Sequence, residues 1–154
     1  MNNENTINNL LGHDYFMKQA LKQAQQAFDE DEVPIGCVVV VNNKIIGKGY
    51  NQTERLKDPT AHAEMLAITA ATNYLGAKYL DECTVYVTIE PCTMCAGALY
   101  WTRPQLIVYG ASEPKVGFTL HQEPIVHPKT TVLKGVLADD CSAIMTAFFE
   151  KRRT

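Results

Sequence analysis

The chain lacks any long apolar run: its longest, Cys37 to Val41, is a quarter of the roughly 20 residues that a membrane-spanning helix needs. It has no excess of positive charge. A formal net charge of -3 excludes a global basic field, so a nucleic-acid partner would have to meet a local cationic patch. The first nine residues, MNNENTINN, carry neither a cationic n-region nor an apolar core, which predicts a flexible tail over residues 1–12 rather than a secretory signal. The five cysteines are an odd number, poorly suited to a disulfide framework, and without an export signal they are expected to be reduced thiols in the cytoplasm. No internal repeat, linker or low-complexity block follows the tail. Residues 13–154 therefore read as a single domain with one sizeable core.

What is present alternates. Apolar residues at Phe16, Met17, Ala20, Leu21, Ala24, Ala27 and Phe28 predict a helix over 14–28, closed by the acidic DEDE at 29–32 and by Pro34. IGCVVVV then predicts a buried strand, Asn42-Asn43 a tight turn, and KIIGKGY its hairpin partner. A helix follows over 60–75 with Asp58 or Thr60 as its N-cap, then a strand over 83–89, a helix over 92–101 and a strand over 105–111. Helices alternating with strands argue for an α/β fold with parallel βαβ units and helices on both faces of the sheet. Residues 111–130 hold three prolines and no clean period, and predict a long surface loop. A last strand over 131–137 and a helix over 139–153 with a basic final turn complete the pattern.

Two cysteines, Cys92 and Cys95, stand three apart where a buried strand meets a helix. Three chemistries fit such a pair. A redox dithiol needs a low-pKa cysteine at a helix start, which this junction supplies, and the spacing does not dismiss it. A zinc finger needs a second pair of ligands, and Cys37, Cys83 and Cys141 offer none. A catalytic zinc site needs one distant histidine, an open position and a nearby acid or base. PTAHAEM supplies both groups: His62 at the start of another helix, and Glu64 two residues on. Positions i and i+2 face opposite sides of a regular helix, so the two can serve one ion only from the helix end. The inference is that two helix N-termini converge on the metal, their positive ends favouring thiolates. His-x-Glu alone is a weak signal. Paired with Glu-Pro-Cys-x-x-Cys at a second strand-helix junction, it is the signature of zinc nucleobase deaminases.

Beyond that signature, EVPIGCVVV, GYNQTERLKDPTAHAEM, TVYVTIEPCTMCAGAL, IVYGA and GVLADDCSAIMTAFFEKRR resemble the bacterial tRNA-specific adenosine deaminases from about Asp14 to Arg153. The resemblance implies a three-layer α/β/α fold of the cytidine-deaminase kind, with a central mixed sheet of about five strands and one Zn2+ per chain. Residues 13–154 would form one zinc-dependent deaminase domain. It implies that His62, Cys92 and Cys95 are zinc ligands and that Glu64 shuttles protons. It further implies that Asn51 holds the target nucleoside, and that Val33, Ala63 through its backbone, and Pro91 line the base pocket. The reaction implied is hydrolytic deamination of adenosine to inosine at the wobble position of a tRNA anticodon, by a homodimer. Phe149 and the KRR at 151–153 lie on the helix that meets RNA in that family.

Other readings of the same residues stand beside these. LYWTRP at 99–104 is also similar to guanine deaminases, which keeps a deaminase of a free base or nucleoside as the alternative, and a non-catalytic zinc-stabilised RNA-binding module is a third. Asn51 could equally cap the loop after its strand. Lys115, Lys129, Lys134 and Lys151 to Arg153 are candidates for a phosphate-facing patch, although scattered lysines are ordinarily solvated surface. Cys37, Cys83 and Cys141 read as small buried hydrophobes, and His13, His121 and His127 are assigned no chemistry.

Overall fold

Residues along each central strand point alternately to two faces, and each face is apolar, so the sheet must be covered on both sides. The computed structural model describes residues 11–153; the tail expected over 1–12 lies mostly outside the described residues. Its elements are α1 (His13–Asp29), β1 (Gly36–Val41), β2 (Lys44–Tyr50), α2 (Ala63–Leu75), β3 (Thr84–Ile89), α3 (Thr93–Thr102), β4 (Leu106–Ala111), β5 (Thr131–Lys134) and α4 (Ala138–Arg153). The β1–β2 hairpin turns through Asn42 (φ 50°) and Asn43 (φ 60°). A two-residue turn of this hand needs positive φ at both positions, which asparagine tolerates better than most residues.

The five strands lie in the order β2-β1-β3-β4-β5. β1 runs antiparallel to both of its neighbours, while β3, β4 and β5 are mutually parallel. The sheet is therefore mixed, as the resemblance implies. Cys37, Val39, Val85, Val87, Ile107 and Tyr109 face α2 and α3, where Ala63, Ala67, Ala71, Ala96 and Leu99 meet them. Val38, Val40, Tyr86 and Val108 face the other way, toward Phe16, Met17 and Ala20 of α1 and Cys141 of α4. This gives three layers. One consequence of the strand order positions the site: β2, β3 and β4 all end at the same edge of the sheet, so the segments that follow them meet there.

Several boundaries differ from those read in the sequence. α2 starts at Ala63 rather than near residue 60, and neither Asp58 nor Thr60 caps it. The Asp58 carboxylate instead accepts bonds from the Thr60 N–H (2.8 Å) and hydroxyl (2.7 Å), a local turn that competes with helix. β5 stops at Lys134, because Gly135 (φ 88°) and Leu137 (φ 53°) turn the chain into α4. The segment after β4 is not a featureless loop: it contains a short 3-10 turn over Phe118–Leu120, and Phe118 is buried.

Candidate metal centre

His62 and Cys92 are each the N-cap of their helix, with extended backbone at φ -75°, ψ 156° and φ -71°, ψ 172°. Neither belongs to a helical turn, and so both side chains turn back over the helix ends. His62 Nδ1 lies 3.6 Å from Cys92 Sγ and 3.5 Å from Cys95 Sγ. Among the described residues these three form the group of side chains able to share an ion, their ligand atoms lying within 4.8 Å of one another. A tetrahedral zinc with bonds of about 2.3 Å to sulfur and about 2.0 Å to nitrogen sets S···N edges of about 3.5 Å, so the donor set fits that metal. The histidine nitrogen sits evenly between the two sulfurs. That is the geometry of a shared ion, whereas a redox dithiol would pair its histidine with one activated thiol.

The electrostatics favour an anion on one of the two sulfurs: the hydrogen bond to Cys92, and then burial, push the Cys95 thiol well up. Hydrogen bonds from Cys95 and then from His62 lower the Cys92 thiol to about 4, against the cost of its burial. The hydrogen bond to Cys92 raises the His62 pKa, against the opposing effect of burial. Glu64, in the first turn of α2, is 4 % exposed, and burial pushes its carboxyl up to about 6. That range suits a group that must both accept and return a proton near neutrality.

Beside Glu64 and His62 opens a recess of about 250 Å³, walled by Val33, Ile35, Asn51, Thr53 and Ala63. Asn51 is 7 % exposed and its Oδ1 has no hydrogen-bond partner. Buried amide oxygens are nearly always paired, so this one retains the capacity to accept a hydrogen bond beside the recess. Val33, Asn51 and Ala63 are thus brought together with His62 and Glu64. Pro91 is not on the wall: it is buried, with its carbonyl accepting the Phe118 N–H at 3.0 Å. Phe149 is also apart, 40 % exposed on α4 and stacked edge-on against the buried Phe148.

The family model described as the cytidine and deoxycytidylate deaminase zinc-binding region matches residues 12–111. The chain belongs to this family. The donor set His62, Cys92 and Cys95 lies within that matched span of the deaminase. The tRNA-specific adenosine deaminase of Aquifex aeolicus is 41% identical over 148 residues, which is 93% of this chain and 97% of that protein. Among solved structures, a tRNA:A34 deaminase studied for A-to-I editing at the wobble position of transfer RNA superimposes with a TM-score of 0.79 at 38% identity. The match covers 84% of this chain and 98% of that one. A guanine deaminase from Bacillus subtilis matches at TM-score 0.63 and 42% identity, over 66% of this chain and 65% of that one.

Sequence reasoning missed four residues around the deaminase site. Ile35 and Thr53 line the recess. Glu32, read as part of the acidic stop to α1, turns inward to 2 % exposure, and its two oxygens accept the Glu54 and Arg55 N–H groups, each at 2.9 Å. Glu90, 4 % exposed, does the same for the segment after β4. An acid closing an unbroken apolar strand, as in TVYVTIE, was the signal available for Glu90.

Proposed function

We propose that this chain performs zinc-dependent hydrolytic deamination of adenosine to inosine at the wobble position of a tRNA anticodon. The observation that carries the reading is the buried Glu64 beside a donor set of one imidazole and two thiols, at the floor of a recess with an unpaired asparagine oxygen. Zinc, when bound by His62, Cys92 and Cys95, acidifies a water from a pKa of about 15.7 to about 7, which makes a nucleophile available at neutral pH. Glu64 accepts one proton from the attacking water and hands it to N1 of the adenine; it then takes the proton of the new C6 hydroxyl and delivers it to the amine, so that the C–N bond breaks as the carbonyl forms and ammonia leaves. Asn51 receives the nucleoside through its unpaired Oδ1, and Val33 and the Ala63 backbone bracket the base. The target amine is hidden in a duplex, so a splayed anticodon base is the RNA that can present it.

The reading takes residues 13–154 as one deaminase domain working in the cytoplasm. Among the described residues no helix is long and apolar enough to cross a membrane. It also takes the enzyme as a homodimer through α3, whose outer side carries Met94, Tyr100 and Trp101, the last 74 % exposed. α4 supplies Phe149 and the KRR at 151–153 to the RNA; in the free protein Lys151 Nζ lies 5.2 Å from the centre of the Phe28 ring. Arg152 is committed elsewhere in the free protein, donating to the Asp31 carbonyl at 3.0 Å. The test is ammonia release from an anticodon stem-loop bearing wobble adenosine and, separately, from guanine, cytosine and adenosine. Release from the stem-loop is expected. Release from guanine alone would replace this reading with that of a free-base deaminase, and none from any substrate would leave a zinc-stabilised binding module.

A further inference from the structure

Four consecutive residues of the Cys92 turn are each engaged by the segment that follows β4. Glu90 Oε1 accepts the Glu113 N–H at 3.1 Å, and its Oε2 accepts the Thr119 N–H at 2.9 Å and the Thr119 hydroxyl at 2.7 Å. The Pro91 carbonyl accepts the Phe118 N–H, Cys92 forms an isolated bridge with Gly117, and the Thr93 hydroxyl hydrogen-bonds the His121 ring at 2.9 Å. The segment has no strand ladder of its own, only local turns such as Gly117 N–H to the Glu113 carbonyl at 3.2 Å, so these bonds are what tie it to the Cys92 turn. Charge-assisted bonds from a buried carboxylate are the strongest of them. Held in this way, the segment exposes Pro114, Lys115 and Val116 at its tip, a few residues from the partner of Cys92.

We propose that Glu90 is a positioning residue: it fixes residues 112–121 as a rim beside the metal centre, with Lys115 set to meet the phosphate backbone of a single-stranded RNA. This rests on the RNA substrate proposed above. The carboxylate never reaches the reacting atoms, and acts through the rim on substrate binding.

Two variants test it. Glu90→Gln removes the charge and turns an NH2 group against backbone N–H donors. Gly117→Ala leaves Glu90 intact but places a Cβ that overlaps Glu90 Oε2 and lies 2.6 Å from the Glu113 carbonyl, at a φ of -61° that alanine accepts. Each is measured for zinc per chain, for the rate of tryptic cleavage after Lys115, and for kcat and KM on the anticodon stem-loop. Both are expected to keep the parent's zinc content and kcat, while cleavage at Lys115 quickens and KM rises by about tenfold, the effect of losing one charge-assisted bond. Lys115→Ala, which removes the cleavage site itself, is expected to raise KM at the parent's zinc content and kcat. A loosened rim with unchanged KM would refute the proposal, as would a joint fall of zinc and kcat, which would mean that Glu90 acts on the metal ligands. Should Glu90→Gln not fold, Gly117→Ala decides by the same readouts. A parent inactive on the stem-loop would refute the proposed function, and this proposal with it, whereas unchanged KM in an active background refutes this proposal alone.

Discussion

Gly49 of β2 packs against the start of α2, and replacing it with alanine should separate stability from catalysis. A Cβ at Gly49 would overlap the Ala63 carbonyl and lie 2.7 Å from the Ala67 nitrogen. Ordinary contact is about 3.5 Å, so the start of α2 must move by about 1 Å. That start carries both His62 and Glu64. Overpacking of this kind costs about 1–3 kcal/mol, or a fall in Tm of about 2–12 °C for a chain of this size. Displacing catalytic groups by about 1 Å costs about a hundredfold in rate. Gly47→Ala is the control, because its Cβ would crowd the middle of the same helix, 2.5 Å from the Ala67 carbonyl and 2.8 Å from the Ala71 nitrogen. Both variants should melt early by similar amounts, and Gly49→Ala should lose about a hundredfold more kcat/KM. Thermal melts and steady-state kinetics on the stem-loop give the comparison. Equal activity losses at equal Tm would show that the packing of Gly49 does not set the geometry of the site.

Glu64→Gln should retain zinc at the parent ratio and lose at least about a hundredfold in kcat, the usual worth of a positioned general acid-base; turnover near the parent rate would remove Glu64 from the mechanism. Glu32→Gln should lower the melting temperature through loss of about 1–3 kcal/mol, because an amide NH2 would face the Glu54 and Arg55 N–H groups; an unchanged melt would show that the clamp is dispensable. Burial pushes the Tyr86 hydroxyl, 2.8 Å from His13 Nδ1, from 10.0 up to about 12. The folded state therefore holds a proton that the unfolded chain releases first. This contribution is intact below pH 10.0 and fades as pH rises through about 12. Melts across that interval should fall less steeply for Tyr86→Phe than for the parent, and identical slopes would count against a raised Tyr86 pKa.

Period made most of the fold legible. The short apolar runs of β1, β3 and β4 mark strands buried on both faces, the spacing of α1 marks one buried helix face, and the observed elements fall within a few residues of those expected. What was not legible depends on partners distant in sequence. Asp58 looked like a helix cap, but its carboxylate is spent on a turn two residues on, and the cap fell to His62. Glu32 and Glu90 looked like polar punctuation. Their bonds go to backbone 22 to 29 residues away, which no local pattern encodes. The segment after β4 lacked a period because it is shaped by Glu90 and Pro91 rather than by its own ladder. At the site, the grouping of His62 with Cys92 and Cys95 was readable because the chemistry of three donors restricts residue type as well as place. Pro91 and Phe149 came from resemblance alone, and neither lies on the wall of the recess.

The strand order gives the metal centre a mechanical meaning. His62 follows β2 and Cys92 follows β3, and between those strands lies β1, so an ion held by both fastens the hairpin half of the sheet to its parallel half. Such a clasp resists separation of the halves only while it is filled. Resistance to unfolding should then climb with the logarithm of free zinc, and the working life of the folded chain would be set by metal supply as well as by sequence.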